Sequence, residues 1–178
     1  IEDTVSRIQW AEEQGIADAW FSDSGAPDTL TQVAAIAHQT KSIRIGTAVT
    51  PVYTRSPSVL AASANVIGHL LPDRFVRGLG SSSQTIMGQF NGIPLDKPLT
   101  RVRETAELVK IMLTGEKTNY DGETLFSKGY RQAPMENPPP IYLAALRPKM
   151  IEMAAEVGDG VSFNLWPKAA LPKMMEHI

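Results

Sequence analysis

Apolar positions in this chain change period repeatedly, passing from helical spacing to short continuous runs and back. Val5, Ile8, Ala11 and Ile16 recur at helical spacing and Gly15 supplies a stop, which predicts a helix over residues 4–14. The run Ala17 to Ser22 then predicts a short strand. Asp28 can cap a following helix whose inner face carries Leu30, Val33, Ala34 and Ala37. Ile43 to Val49 predicts the next strand. Ser56 as cap and Pro57 at the first helical position start a helix reaching Leu71. Arg74 to Gly80 is a third strand, followed by a long loop and a helix capped by Thr100 that presents Val102, Ala106, Val109 and Leu113. Asp121-Gly122, between runs with Tyr120, Leu125 and Phe126, predicts a hairpin excursion within residues 117–133. After Pro138-Pro139-Pro140 the alternation resumes: strand Ile141 to Ala145, helix Pro148 to Val157, strand Val161 to Trp166, and a last helix from Lys168.

Strands alternating with helices at roughly 30-residue intervals imply parallel βαβ units with right-handed crossovers. The fold class is α/β, either an open doubly wound sheet or a TIM-type barrel. Gly78-Leu79-Gly80 is followed by Ser83 where a dinucleotide fingerprint would place its third glycine, which weakens the open-sheet reading. About five strands are predicted in the 178 residues, against the ~250 residues of a full barrel. The expectation is a single domain over residues 1–178, a partial barrel lacking its first and last strands. Its open edges predict a homo-oligomer or a piece of a longer polypeptide.

Composition narrows the function classes. Apolar residues make up 43% and charged residues 20%, ordinary for a soluble domain. A formal charge of −2, with Lys and Arg scattered, gives no footprint for nucleic acid or an anionic membrane. There is no Cys, which rules out a disulfide framework, a thiolate nucleophile and Cys-ligated metal, and accords with a cytoplasmic location. The sequence gives no expectation of a secretory leader or of a membrane span.

Chemistry in such barrels lies on the loops that follow strands, so five segments should converge on one cavity: Asp23-Ser24, Ala48 to Thr54, Gly80 to Ser83, Ala145 to Arg147 and Asn164 to Trp166. Ser81-Ser82-Ser83 offers hydroxyls and accessible amides that suit a phosphate, and Arg147 beside Pro148 could add a cation. Each also has a plainer reading, as a flexible connector and a solvated helix end. His38, His69 and His177 follow no strand and show no metal-binding spacing, so no metal site is proposed. No G-x-S-x-G elbow exists. Met112, Met150, Met153, Met174 and Met175 fall at helical positions and read as core filler.

Three segments, AVTPVYTRSP, GLGSSSQTIMGQFNGIPLDKPLTRVRETAELVKIMLTGE and IYLAALRPKMIEMAAEVGDGV, resemble the luciferase-like monooxygenase superfamily, in the branch that uses the deazaflavin coenzyme F420. The loop Ala48 to Pro57 and the block N-G-I-P-x-D-x-P-L-x-R at Asn91 to Arg101 are similar to methylenetetrahydromethanopterin reductases. The resemblance implies a TIM-type barrel with F420 at the strand C-termini. It also implies a non-prolyl cis peptide at Ala48-Val49, in a bulge that supports the deazaflavin ring, with Thr50 beside it. Asp23 matches the carboxylate near the ring, while Gly80, Ser81 and Ser82 match the loop after the fourth barrel strand. Ala144 and Ala145 match the strand end near the phosphate-bearing chain of the cofactor, to which Arg147 is joined by charge alone.

Two departures shape the functional expectation. Many relatives carry His after the Asp, where this chain has Ser24, and some carry a Glu where this chain has the serine run. Alcohol oxidation is thereby disfavoured and a second acid–base candidate removed; what remains is hydride transfer governed by positioning. The expected activity is oxidoreduction between F420 and a small organic substrate. Alternatives are an FMN-dependent monooxygenase of the same superfamily, and a truncated barrel serving as a binding or structural module.

Overall fold

The computed structural model describes residues 1–178. Helix α1 (Glu2–Glu13) leads into strand β1 (Asp18–Phe21), and Asp28 caps α2 (Thr29–Ala37) by accepting from the Thr31 amide at 2.8 Å. Strand β2 (Arg44–Thr47) is interrupted at Ala48-Val49 and resumes as β3 (Thr50–Pro51). Helix α3 (Pro57–Leu70) starts at Ser56, whose hydroxyl accepts from the Val59 amide at 3.4 Å. Strand β4 (Phe75–Gly80) follows, buried along its whole length.

The segment after β4, expected to be irregular, contains a π-helix over Thr85–Phe90. Helix α4 (Pro98–Leu113) then begins ahead of the expected Thr100 cap. Pro98 occupies its first turn with φ fixed for a helix, and Lys97 before it takes a left-handed conformation at φ 46°. Strands β5 (Asn119–Asp121) and β6 (Phe126–Lys128) pair antiparallel. Glu104 of α4 fastens their turn, accepting from the amides of Glu123, Thr124 and Leu125 at 2.5, 2.9 and 2.8 Å. Strand β7 (Ile141–Ala144), helix α5 (Pro148–Val157), strand β8 (Gly160–Ser162) and the short α6 (Leu171–Met175) complete the chain. The last strand is shorter than expected, because Phe163 to Trp166 lie outside it and Leu165 turns out to solvent at φ 54°.

The main sheet is parallel, in the order β1-β2-β4-β7-β8, with β3 also on β4. Its helix-covered side holds two apolar clusters: Leu60, Leu79, Val109, Leu143 and Ile151 in one, Ile36, Ile45, Ile67 and Phe75 in the other. Met112, Met153 and Met174 join the first, whereas Met175 is exposed.

The opposite side is concave. Trp20 on β1 and Tyr142 on β7 are separated by two intervening strands, which in a flat sheet places them about 14 Å apart. Their rings nevertheless meet at 6.0 Å between centroids, so the sheet curls as a barrel wall does. Gly46 makes room, since a Cβ there would stand 2.4 Å from the Trp20 ring. This is a half-barrel of the TIM type. No helix is long and apolar enough to cross a membrane.

Candidate active site

The interruption between β2 and β3 shapes the site. Below it, Thr47 Oγ1 donates to the Gly78 carbonyl and accepts from the Gly78 amide, both at 2.9 Å. Above it, Thr50 and Pro51 pair with Leu79 and Gly80. The two residues between leave the ladder, and the Ala48-Val49 peptide bond is cis, as the resemblance implies. Val49 lies with its side chain over Gly80, where a Cβ would meet Val49 Cγ2 at 2.6 Å and the Ala144 Cβ at 3.0 Å. Glycine thus lets the bulge stack on β4 and β7 without displacing either neighbour.

Over that floor opens a cavity of about 620 Å³, within the range that takes a cofactor-sized ligand. It is lined by the ends of successive strands and the loops beyond them: Ser22 to Ser24, Ala48 and Val49, Ser81 to Ser83, Ala144, Leu146 and Arg147, then Ser162 to Asn164. The five segments singled out in the sequence do converge. Of the individual residues, Asp23, Ala48, Val49, Ser81, Ser82, Ala144 and Arg147 face the cavity. Thr50, Gly80 and Ala145 are buried behind the wall instead, with Thr50 Oγ1 left without a hydrogen-bond partner.

The serine loop divides its labour. Ser83 stands just ahead of the π-helix, its hydroxyl accepting from the Ile86 amide at 3.3 Å. Ser82 adopts a left-handed conformation at φ 64°, and its hydroxyl and that of Ser81 stay beside the cavity. Arg147 stands at the start of α5, exposed and outside the protein's ion pairs, with its carbonyl accepting from the Met150 and Ile151 amides at 2.9 Å. A helix N-terminus, two hydroxyls and a cation make one rim of the cavity receptive to an anion.

The other rim is built on a charge pair absent from the sequence reading. Asp23, nearly buried, accepts from Arg55 Nη1 at 2.6 Å, and the same guanidinium reaches Asp28 through Nη2. Thr31 is the largest influence holding the Asp28 carboxyl below its usual range, with Arg55 adding to it against partial burial. Around this pair lies a smaller recess of about 220 Å³ that shares Asp23 and Ile86 with the main cavity. Arg55 belongs to the quoted AVTPVYTRSP segment, but nothing local in that string shows which carboxylate it meets. Ile86 was missed because it sits on the π-helix.

Comparison with known proteins places the chain in a family. The profile of the luciferase-like monooxygenase family matches residues 1–178. The chain belongs to that family.

Among curated members it is 35% identical over 167 residues to the 5,10-methylenetetrahydromethanopterin reductase of Methanolobus tindarius, covering 93% of this chain and 50% of the relative. The F420-dependent glucose-6-phosphate dehydrogenase of Gordonia bronchialis is 32% identical over 165 residues, covering 84% of this chain and 49% of that protein. The chain thus spans about half the length of the curated relatives it matches. In fold it superposes on the coenzyme F420-dependent tetrahydromethanopterin reductase from Methanopyrus kandleri with a TM-score of 0.88 at 24% identity, over 99% of this chain and 57% of that one. The half-barrel corresponds to part of this family's barrel fold.

Proposed function

We propose that the protein is an F420-dependent oxidoreductase, and that the strand ends of this half-barrel hold the deazaflavin. The observation that carries the reading is the floor of the cavity: Val49 and Ala144 packed over Gly80, where a Cβ would stand 2.6 Å from Val49 Cγ2 and 3.0 Å from the Ala144 Cβ. That floor, built of Val49 and Ala144, is apolar, which fits a flat tricyclic ring. The group also carries a phosphate, and the Ser81–Ser82 hydroxyls with Arg147 form the rim that suits one. The names of the relatives, F420-dependent reductases and dehydrogenases, support the same cofactor.

Bound there, the deazaflavin supplies the carbon that gives or takes a hydride. The protein's part is placement. Val49 and Ala144 would press one face of the ring and keep water from it, while Asp23 would receive a hydrogen bond from its edge. Ser24 stands beside Asp23 where an imidazole base would be needed for alcohol oxidation. These residues orient the reactants; they carry no evident proton shuttle. We assign the substrate to small organic hydride acceptors or donors, because Leu146, Met150 and Phe163 leave an apolar side of the cavity free.

Equilibrium titration of the purified protein with F420, and separately with FMN, tests the reading. Saturable F420 binding, with FMN at least roughly tenfold weaker, is expected; ~1.4 kcal/mol separates those outcomes. A preference for FMN would make it a flavin monooxygenase of the same family. Binding of neither would leave the half-barrel a non-catalytic module.

A further inference from the structure

We infer that Arg55 is a positioning residue for the cofactor, acting through Asp23; this rests on the F420 reading above. The side chain of Arg55 is 17% exposed and that of Asp23 7%, so their 2.6 Å contact is shielded from water on most sides. A second arm of the guanidinium engages Asp28, which is itself fixed as the N-cap of α2 by the Thr31 amide at 2.8 Å. Arg55 in turn immediately precedes Ser56, the cap of α3. The fork therefore ties the loop after β1 to the loop after β3, and both of its carboxylates belong to the former.

The tie has a directional consequence for Asp23. Its Oδ2 is taken by Arg55, while no group of the protein donates to Oδ1 and the carboxylate lies on the cavity wall. With one oxygen held by Arg55, rotation of the carboxylate is restrained and Oδ1 is left as its open acceptor. A donor on the ring edge would meet it without first ordering it, which is the gain that preorganisation gives to binding. Lysine at this position would keep the charge yet lose the second arm of the fork.

Fluorescence titration with F420 on four proteins tests this: the wild type, Asp23→Asn, Arg55→Met and the double variant, each with a thermal melt. Asp23→Asn and Arg55→Met are each expected to weaken F420 by about tenfold, and the double variant no more than either alone, because both remove one interaction. Arg55→Lys should recover part of the affinity, to within about threefold of wild type. The inference is overturned if the wild type binds F420 and Arg55→Met binds it equally well, whatever its melting temperature, or if the two single effects simply multiply. If the wild type itself fails to bind, it is the F420 reading that falls.

Discussion

Gly80 lies directly beneath Val49, so close that a Cβ on the glycine would stand 2.6 Å from the valine Cγ2. Ala144 closes the other side at 3.0 Å, so neither neighbour can yield without moving β7 or the bulge. Gly80→Ala should therefore cost about 1–3 kcal/mol in urea denaturation, as overpacking does. It should also raise the floor of the cavity and weaken F420 binding by at least about tenfold. Unchanged affinity in a folded Gly80→Ala protein would detach the floor from cofactor binding.

Arg147 offers a charge that no protein group neutralises. Replacing it by Gln should weaken F420 binding and flatten its dependence on salt, since one screened attraction to the phosphate is lost. Titrations at low and high ionic strength check this. If the two proteins show the same salt dependence, the cation plays no part in holding the anion.

Glu12 makes an acid-sensitive clasp at the other end of the sheet. Its carboxylate accepts from the amides of Ser42, Ile43 and Lys41 at 2.6, 2.8 and 2.9 Å, fixing the turn that leads into β2. Burial alone would push the carboxyl up, but these donors outweigh it and draw it from 4.5 to about 2. A carboxyl depressed on folding contributes its stability above its unfolded value, and that contribution is lost as pH falls from 4.5 through about 2. Glu12→Gln should cost roughly 1–2 kcal/mol at neutral pH, and its acid denaturation profile should be shallower than that of the wild type across this window.

Arg77 is a cost the fold carries. The guanidinium is fully buried between β4 and α3, where Nη2 donates to the Leu60 carbonyl at 3.0 Å and to Ser63 Oγ at 2.9 Å. Its Nε and Nη1 have no partner. Burial pushes its pKa well down, with the Arg55 charge adding to the effect and Asp23 opposing it. Arg77→Met, of similar volume, should then be neutral to stabilising by up to a few kcal/mol in chemical denaturation. A loss above about 3 kcal/mol would show that the two hydrogen bonds outweigh the buried charge.

The legible part of this fold is the part whose causes are local. Asp28 and Ser56 announce their helices because capping depends on one side chain and the next three amides. The short run Arg74 to Gly80 reads as a strand from Phe75, Val76 and Leu79, and β4 is buried along its whole length, Arg77 included. The convergence of strand ends on one rim follows from the parallel direction of the strands, and the cis Ala48-Val49 bond came from family resemblance rather than from any property of those two residues.

What stayed hidden depends on contacts between distant residues. The Arg55–Asp23 pair joins positions 32 apart, and many carboxylates could have been its partner. The placement of Gly80 and Ala145 behind the cavity wall depends on which way each strand end faces once the sheet curls. The π-helix over Thr85–Phe90 has no apolar period to announce it, and Lys97 gives no sign that it, rather than Thr100, precedes the helix.

The central claim is that a deazaflavin ring rests on Val49, with its phosphate toward Ser81, Ser82 and Arg147. A crystal structure of the protein soaked with F420 tests it most directly. The account predicts the ring stacked against Val49 and Ala144, one edge within hydrogen-bond reach of Asp23 Oδ1. A ring bound elsewhere, for instance among Trp20 and Tyr142 on the concave face, would contradict it.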